Sequence, residues 1–177
     1  MKVAEEQWDA EYASGRWDFL SAKHEQTRLA VVASFIANYA PGCVLDLGGG
    51  RGDLLRWCLP GSVSRYIDVD VSALAMQDVP EQPFPVEKHA MSLADYRPGN
   101  TAIDCIVASE VLYFVDDAAS HIAEIAKESG GVKGIVISLV AANKNKPNWE
   151  KASNRIWAQF DDLGWPLHQS VHVHNHS

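Results

Sequence analysis

Short, mostly apolar runs recur along the chain and are separated by turn-forming and helical segments. They cover Cys43–Leu47, Ser64–Asp70, Val86–Ala90, Ile103–Ala108 and Gly134–Val140. Runs of this kind, bounded by glycine and proline, are typical of strands buried on both faces of a parallel sheet. The pattern therefore predicts an α/β fold: an open, mostly parallel, doubly wound sheet with helices on both faces.

Helical segments fill the gaps between these runs. Apolar residues at helical spacing predict a helix from about Ala22 to Tyr39, and another is predicted from about Trp149 to Phe160. Asp53 to Cys58 is expected to open a helix that Pro60-Gly61 stops. No repeat, linker or low-complexity stretch interrupts the pattern, so residues 1–177 are predicted to form one domain.

A glycine-rich turn follows the first predicted strand. Asp46 lies at the end of the strand, just before its last residue, and Gly48, Gly49 and Gly50 follow the strand directly, ahead of Asp53. Glycine lets the backbone turn sharply and lets a ligand approach without meeting a Cβ. The turn is therefore a candidate cradle for a nucleotide-like ligand, although it could also merely join strand to helix.

The residues around this turn discriminate among ligands. A phosphate-binding P-loop needs Lys-Ser/Thr after the glycines, and none is present. A dinucleotide fold needs a small residue where Asp53 stands. That carboxylate would oppose a pyrophosphate at a cost of about 1 to 4 kcal/mol. S-adenosylmethionine has no phosphate and carries a sulfonium and an ammonium, which Asp46 would face favourably.

Asp46 to Gly52 resembles the first motif of the class I S-adenosylmethionine-dependent methyltransferases, which have a Rossmann-like sheet. The resemblance covers roughly residues 8 to 140. It implies S-adenosylmethionine as the cofactor, held by Asp46, the glycines at 48 to 50 and Asp53.

A second carboxylate is expected at the end of the next strand, where nucleoside sites hold the ribose hydroxyls. Asp70-Val71-Ser72 resembles the family's Asp-x-Ser, so Asp70 and Val71 are assigned to the cofactor. Asp68 is the competitor, since residues at alternate strand positions share one face. The family usually has glycine at that position. Alternatively, Ser72 caps a helix and both aspartates are solvated.

Residues after the third and fourth predicted strands are expected to line the same site. Met91 and Ser92 stand where the family often carries an aspartate for the adenine amino group. Ser109 and Glu110 follow the fourth strand, where the family's chain passes under the methionine moiety. Glu110 could equally be satisfied by backbone N–H groups.

The N-terminal segment is rich in large aromatic residues. Trp8 and Tyr12 share one face of a short helix that Gly15 ends, and Trp17 follows. Many small methyltransferases that this chain resembles fold such a segment over the cofactor, so residues 1–20 are predicted to form a lid that contacts it. Alternatively, the helix only staples its aromatics to the core.

Two residues are candidates for acid–base or substrate roles. His24 lies near the predicted lid, and Tyr113 follows the fourth strand. Many family members have a histidine at the position of Phe114, and phenylalanine cannot accept a proton. The catalytic role of that histidine is therefore not transferable to this chain.

Composition excludes several other functions. A net charge of −8 in 177 residues disfavours a nucleic-acid substrate, because phosphate neutralisation needs basic surface. No run reaches the ~18 apolar residues of a membrane span, and the N-terminus has no secretion segment. The odd count of three cysteines favours reduced, buried thiols and a cytoplasmic location.

The C-terminal segment reads as an unusual sheet edge. Leu167 to His174 is predicted to form a sixth strand, and too few residues follow for the family's usual seventh. A short member, a truncation, or a homodimer that covers the exposed edge would each fit. His172, His174 and His176 alternate on one face, but a terminal strand is favoured over a metal site.

The sequence thus predicts methyl transfer to an O or N atom of a small molecule, a saccharide or an amine metabolite. A non-catalytic S-adenosylmethionine-binding protein, or one subunit of a methyltransferase complex, is the alternative. A dinucleotide-dependent oxidoreductase is a third hypothesis.

Overall fold

The structure is a computed structural model that describes residues 5–39, 42–58, 61–139 and 147–165. Four helices and five strands organise it within those ranges. In chain order they are α1 Glu5–Ala13, α2 Lys23–Asn38, β1 Cys43–Leu47, β2 Arg65–Asp70, β3 Val86–Ala90, β4 Cys105–Ser109, α3 Ala118–Glu128, β5 Gly134–Ser138 and α4 Pro147–Asp162.

The strands form one parallel sheet in the order β3-β2-β1-β4-β5. The order reverses between β1 and β4, because β1 pairs with β2 on one side and with β4 on the other. In open parallel sheets, ligands bind beyond the carboxyl ends of the strands at such a reversal. This architecture confirms the predicted α/β class and places the glycine turn after β1 at the reversal point.

Both faces of the sheet are covered. Alternate residues of β1 point to opposite sides, so Leu45 packs toward α3 and α4 while Val44 packs toward α2. All five residues of β1 are buried. Burial on both faces is the physical reason for the continuous apolar run in the sequence.

The prediction of a helix that begins within Asp53 to Cys58 is wrong. One 3-10 turn, Leu55–Trp57, stands in its place. The segment before the predicted stop at Pro60 is too short for an α-helix, because so few hydrogen bonds would not offset the free-energy cost of forming the first turn. Leu55 is nevertheless buried, as its place in an apolar run suggested.

The C-terminal predictions concern a different part of the chain. The predicted sixth strand and its three histidines lie outside the described residues. Among the described helices, none has the length and apolar character needed to cross a membrane.

Candidate functional site

Three aspartates converge on one face at the carboxyl ends of β1 and β2. Asp46 lies opposite Asp68 in the parallel register, and Asp70 follows Asp68 by one strand period. All three are buried, with exposures of 1%, 0% and 8%. Clustered buried carboxylates are costly unless paired, so this edge of the sheet is the strongest candidate site in the described part of the chain.

Asp70 holds the glycine turn in place. Its Oδ2 accepts a 3.0 Å hydrogen bond from the backbone N–H of Gly50, and its Oδ1 accepts one of 2.8 Å from Ser72. Gly50 has φ +59, a conformation that favours glycine. Burial raises the pKa of Asp70 to about 6, although both backbone hydrogen bonds oppose that shift.

Asp46 lies beneath the turn. Its Oδ2 accepts a 2.6 Å hydrogen bond from the hydroxyl of Tyr66. Burial raises the pKa of Asp46 to about 7, and the Tyr66 hydrogen bond lowers it less than burial raises it. The carboxyl group of Asp46 is therefore poised between its charged and neutral forms near neutral pH.

The aromatic N-terminal segment covers this edge of the sheet. Tyr12 is buried, and a Cβ at Gly50 would lie only 2.6 Å from its hydroxyl oxygen. The rings of Trp8 and Trp17 stack with centroids 5.6 Å apart, and Trp8 meets Phe114 edge-on at 4.9 Å. The predicted lid residues thus come together above the turn and reach the segment after β4.

Arg51 joins the aromatic N-terminal segment to the glycine turn, a contact that sequence reasoning missed. It donates hydrogen bonds to Asp18 at 2.6 Å and to the carbonyl oxygen of Tyr12 at 3.1 Å. Its guanidinium also lies 5.3 Å from the centre of the Tyr12 ring. In the sequence, Arg51-Gly52 indicates only that the lysine of a P-loop is absent.

Asp9 is a second missed contact. It accepts a hydrogen bond from the hydroxyl of Ser72 and one of 3.1 Å from the backbone of Leu74. Helix α1 is therefore joined to the segment that follows β2. The sequence shows Asp9 as an acidic residue on the predicted N-terminal helix. It does not show the partner, because Ser72 is far away along the chain.

The segment after β4 carries a second polar cluster. Glu110 accepts hydrogen bonds from the hydroxyls of Tyr113 at 2.9 Å and Ser138 at 2.8 Å. Its φ of +57 is uncommon for a residue with a side chain, and such strain clusters at functional sites. Arg28 of α2 donates a hydrogen bond to Ser109 next to it. The described partners of the Glu110 carboxylate are thus hydroxyl groups.

The remaining predicted residues occupy different surroundings. The backbone N–H of Met91 donates to the carbonyl of Asp70 at 2.9 Å, so Met91 adjoins the aspartate, and partly buried Ser92 follows it. Val71 is partly buried between Asp70 and Ser72. Asp53 accepts a 2.7 Å hydrogen bond from Ser21.

His24 falls within α2, but its side chain lies outside the described part of the structure. Its catalytic role stays a prediction.

Replacing Gly49 with alanine tests how tightly the turn is packed. A Cβ there would lie 2.9 Å from the Asp46 Oδ2 atom and 2.7 Å from the Asp68 Cγ atom. We expect a loss of about 1–3 kcal/mol in the free energy of unfolding, because overpacking must displace buried carboxylates. Urea denaturation measures the change.

The matched control is Gly99→Ala. Gly99 has φ +59, but nothing lies within 4 Å of its added Cβ. Its cost should be confined to the backbone, about 1 kcal/mol. A smaller loss at Gly49 than at Gly99 would contradict the packing argument.

A family described as a methyltransferase domain matches residues 9–174, nearly the whole chain. The chain belongs to this family. Membership confirms the predicted class of enzyme, an S-adenosylmethionine-dependent methyltransferase, and the predicted cofactor with it.

Similar solved structures support the fold. The plantazolicin methyltransferase BpumL in complex with SAH has a TM-score of 0.60 at 13% identity, over 89% of this chain and 68% of that one. The N-methyltransferase NodS from Bradyrhizobium japonicum WM9 has 0.59 at 16%, over 78% and 82%. A putative methyltransferase in complex with the Haloferax volcanii Trm112 activator has 0.53 at 22%, over 71% and 56%. No curated protein matches the sequence.

Proposed function

We propose that this methyltransferase acts on an O or N atom of a small molecule, a saccharide or an amine metabolite. The observation that carries the proposal is the joining of the aromatic lid to both the glycine turn and the segment after β4. In this proposal the glycine turn holds the cofactor, and the aromatic rings beside it form the surface that receives the acceptor. Stacked aromatic rings suit the apolar faces of sugars and the cationic form of amines.

The residues at the turn fit S-adenosylmethionine. The absence of a Cβ at Gly49 and Gly50 lets the turn pack closely against its neighbours, and Asp46 offers negative charge to a cationic group. Asp70 uses one lone pair on each oxygen for the backbone, and a carboxylate oxygen can accept more than one hydrogen bond. Asp70 can therefore also accept from the hydroxyls of a ribose.

When bound, S-adenosylmethionine supplies a methyl group already activated by its sulfonium. The protein's contribution is then to hold the acceptor in line and to exclude water. Trp8, Trp17 and Phe114 form the apolar cover in this proposal. Glu110, with the Tyr113 hydroxyl donating to it, is the group proposed to take a proton from an acceptor that must lose one.

The partners and location in this proposal follow from charge and cysteine chemistry. The net charge of −8 favours a small acceptor over a nucleic acid. Cys43, Cys58 and Cys105 are buried free thiols, which suits a cytoplasmic protein. A homodimer through the sheet edge and a single domain over residues 1–177 complete the proposal.

Binding and transfer assays test this function together. We expect S-adenosylmethionine to raise the thermal unfolding midpoint and NAD to leave it unchanged, since only a ligand that binds the native state stabilises it. Methyl-labelled cofactor should then transfer label to a panel of saccharide and amine acceptors. Stabilisation without transfer to any acceptor would favour the non-catalytic alternative, and stabilisation by NAD alone would overturn the assignment.

A further inference from the structure

Of the three aspartates, Asp68 is the one without a proposed role in cofactor binding. Its side chain is fully buried, and neither of its oxygens has a hydrogen-bond partner among the described residues. Burying a carboxylate without a partner is among the costliest arrangements in a protein interior. The group must therefore have a compensating role or a proton.

Asp46 is the partner that the geometry offers to Asp68, because the two residues lie opposite each other in the parallel register of β1 and β2. An ideal Cβ built on Gly49 would meet Asp68 Oδ1 first and would lie 2.9 Å from Asp46 Oδ2, so one oxygen of each carboxyl group lies against the underside of the turn. Asp46 Oδ1 also has no hydrogen-bond partner among the described residues. A single proton held by the pair would let one carboxyl group donate a hydrogen bond to the other, as in other carboxyl pairs that cannot both ionise.

We propose that Asp68 and Asp46 share one proton beneath the glycine turn, and that Asp68 makes the affinity for S-adenosylmethionine depend on pH by giving this proton up. The inference rests on the proposed binding of the cofactor at this turn. On binding, an O–H bond of the pair breaks and the proton leaves to the buffer. Where Asp46 is already ionised, the charge of the pair changes from −1 to −2 and faces the cationic ligand.

The surrounding charges support this direction. Burial and the neighbouring carboxylates raise the pKa of Asp68 well above its usual range, and Lys88 opposes the shift. An added positive charge would lower that pKa, because opposite charges favour the ionised form. The ionisable groups that influence the pair are Arg28, Cys58, Tyr66, Asp70, Lys88, Cys105 and Tyr12.

Asp68→Asn keeps the shape and a hydrogen-bond donor but removes the second ionisation. We expect the variant and the wild type to bind S-adenosylmethionine alike near about pH 6, where Asp68 keeps its proton and is as uncharged as the asparagine that replaces it. Near about pH 8 the wild type should bind about tenfold more tightly, since each proton released is worth up to tenfold per pH unit. Isothermal titration calorimetry measures both affinities.

The number of protons released provides a second readout, which needs no variant. Calorimetry of the wild type in buffers of different ionisation enthalpy should show proton release on binding S-adenosylmethionine. S-adenosylhomocysteine lacks the sulfonium and should release fewer protons. The control Asp161→Asn removes an exposed carboxylate of α4 and should leave both measurements unchanged.

The outcomes separate cleanly. Wild-type binding without proton release, or an Asp68→Asn loss that is equal at both pH values, would overturn the shared proton and indicate a structural role. If the wild type does not bind S-adenosylmethionine at any pH, the proposed cofactor site fails and this inference fails with it.

Discussion

Replacing Asp70 with asparagine is expected to weaken binding of S-adenosylmethionine about 10- to 100-fold. Each Asp70 oxygen accepts a backbone hydrogen bond, from Gly50 at 3.0 Å and from Ser72 at 2.8 Å. An asparagine side chain must turn its NH₂ group toward one of those N–H donors, which leaves one of them unsatisfied. Hydrogen bonds to charged groups contribute about 1.5–3 kcal/mol, which sets the expected range.

The affinity loss has two sources that the measurements separate. The glycine turn loses its anchor, and the proposed ribose contact loses its charge. Circular dichroism and the urea midpoint report the first, and calorimetric titration of the folded variant reports the second. The control Glu81→Gln removes an exposed carboxylate in the same β2–β3 connection and should bind as the wild type does. An unchanged affinity in Asp70→Asn would remove Asp70 from the cofactor site.

The free energy of unfolding of the ligand-free protein is expected to fall as pH rises from about 5 to about 7. Burial raises the pKa of Asp70 to about 6 and of Asp46 to about 7, both above the unfolded value of 3.8. The native state therefore binds more protons than the unfolded chain in this window. The stability that these groups contribute is fully present below about pH 4 and is lost as pH rises through 6 and 7.

The size of the effect is large for two side chains. Each carboxyl group can change the free energy of unfolding by up to about 1.4 kcal/mol per pH unit, over the pH range in which it is protonated in the native state and ionised in the unfolded state. Asp104 acts in a different window, because its hydrogen bond from Lys133 holds its pKa below 3.8 and its contribution is lost only at lower pH. Urea denaturation at about one-unit pH intervals measures the slope.

Asp46→Asn serves as the matched variant for this slope. It removes one of the titrating groups, so its stability should depend less on pH than that of the wild type. Saturating S-adenosylmethionine should also flatten the dependence, because its cationic groups stabilise the ionised carboxylates. A wild-type stability that rises or stays flat between about pH 5 and 7 would show that the buried aspartates are not protonated in the native state.

The resemblance to methyltransferases was correct because its signals are local. Asp46 and the glycines stand at the end of β1, Asp70 and Ser72 stand at the end of β2, and a turn needs particular residues at fixed spacing. Strand positions were predictable for a related reason, since burial on both faces leaves a continuous apolar run. Prediction from local sequence fails after Gly52. The short apolar segment there predicts a helix, but it is too short to form one.

The sequence by itself determined the class of fold, the glycine turn and the kind of ligand that turn suits. Only the tertiary structure decided which distant groups meet there. Arg51 reaches Asp18, Asp9 reaches Ser72, and Asp68 faces Asp46, although no local pattern links the members of these pairs. Parallel register and the docking of α1 bring them together, and burial then sets their charge. Whether a carboxylate is a solvated surface group or a poised buried acid depends on its three-dimensional surroundings, which its neighbours in the chain do not encode.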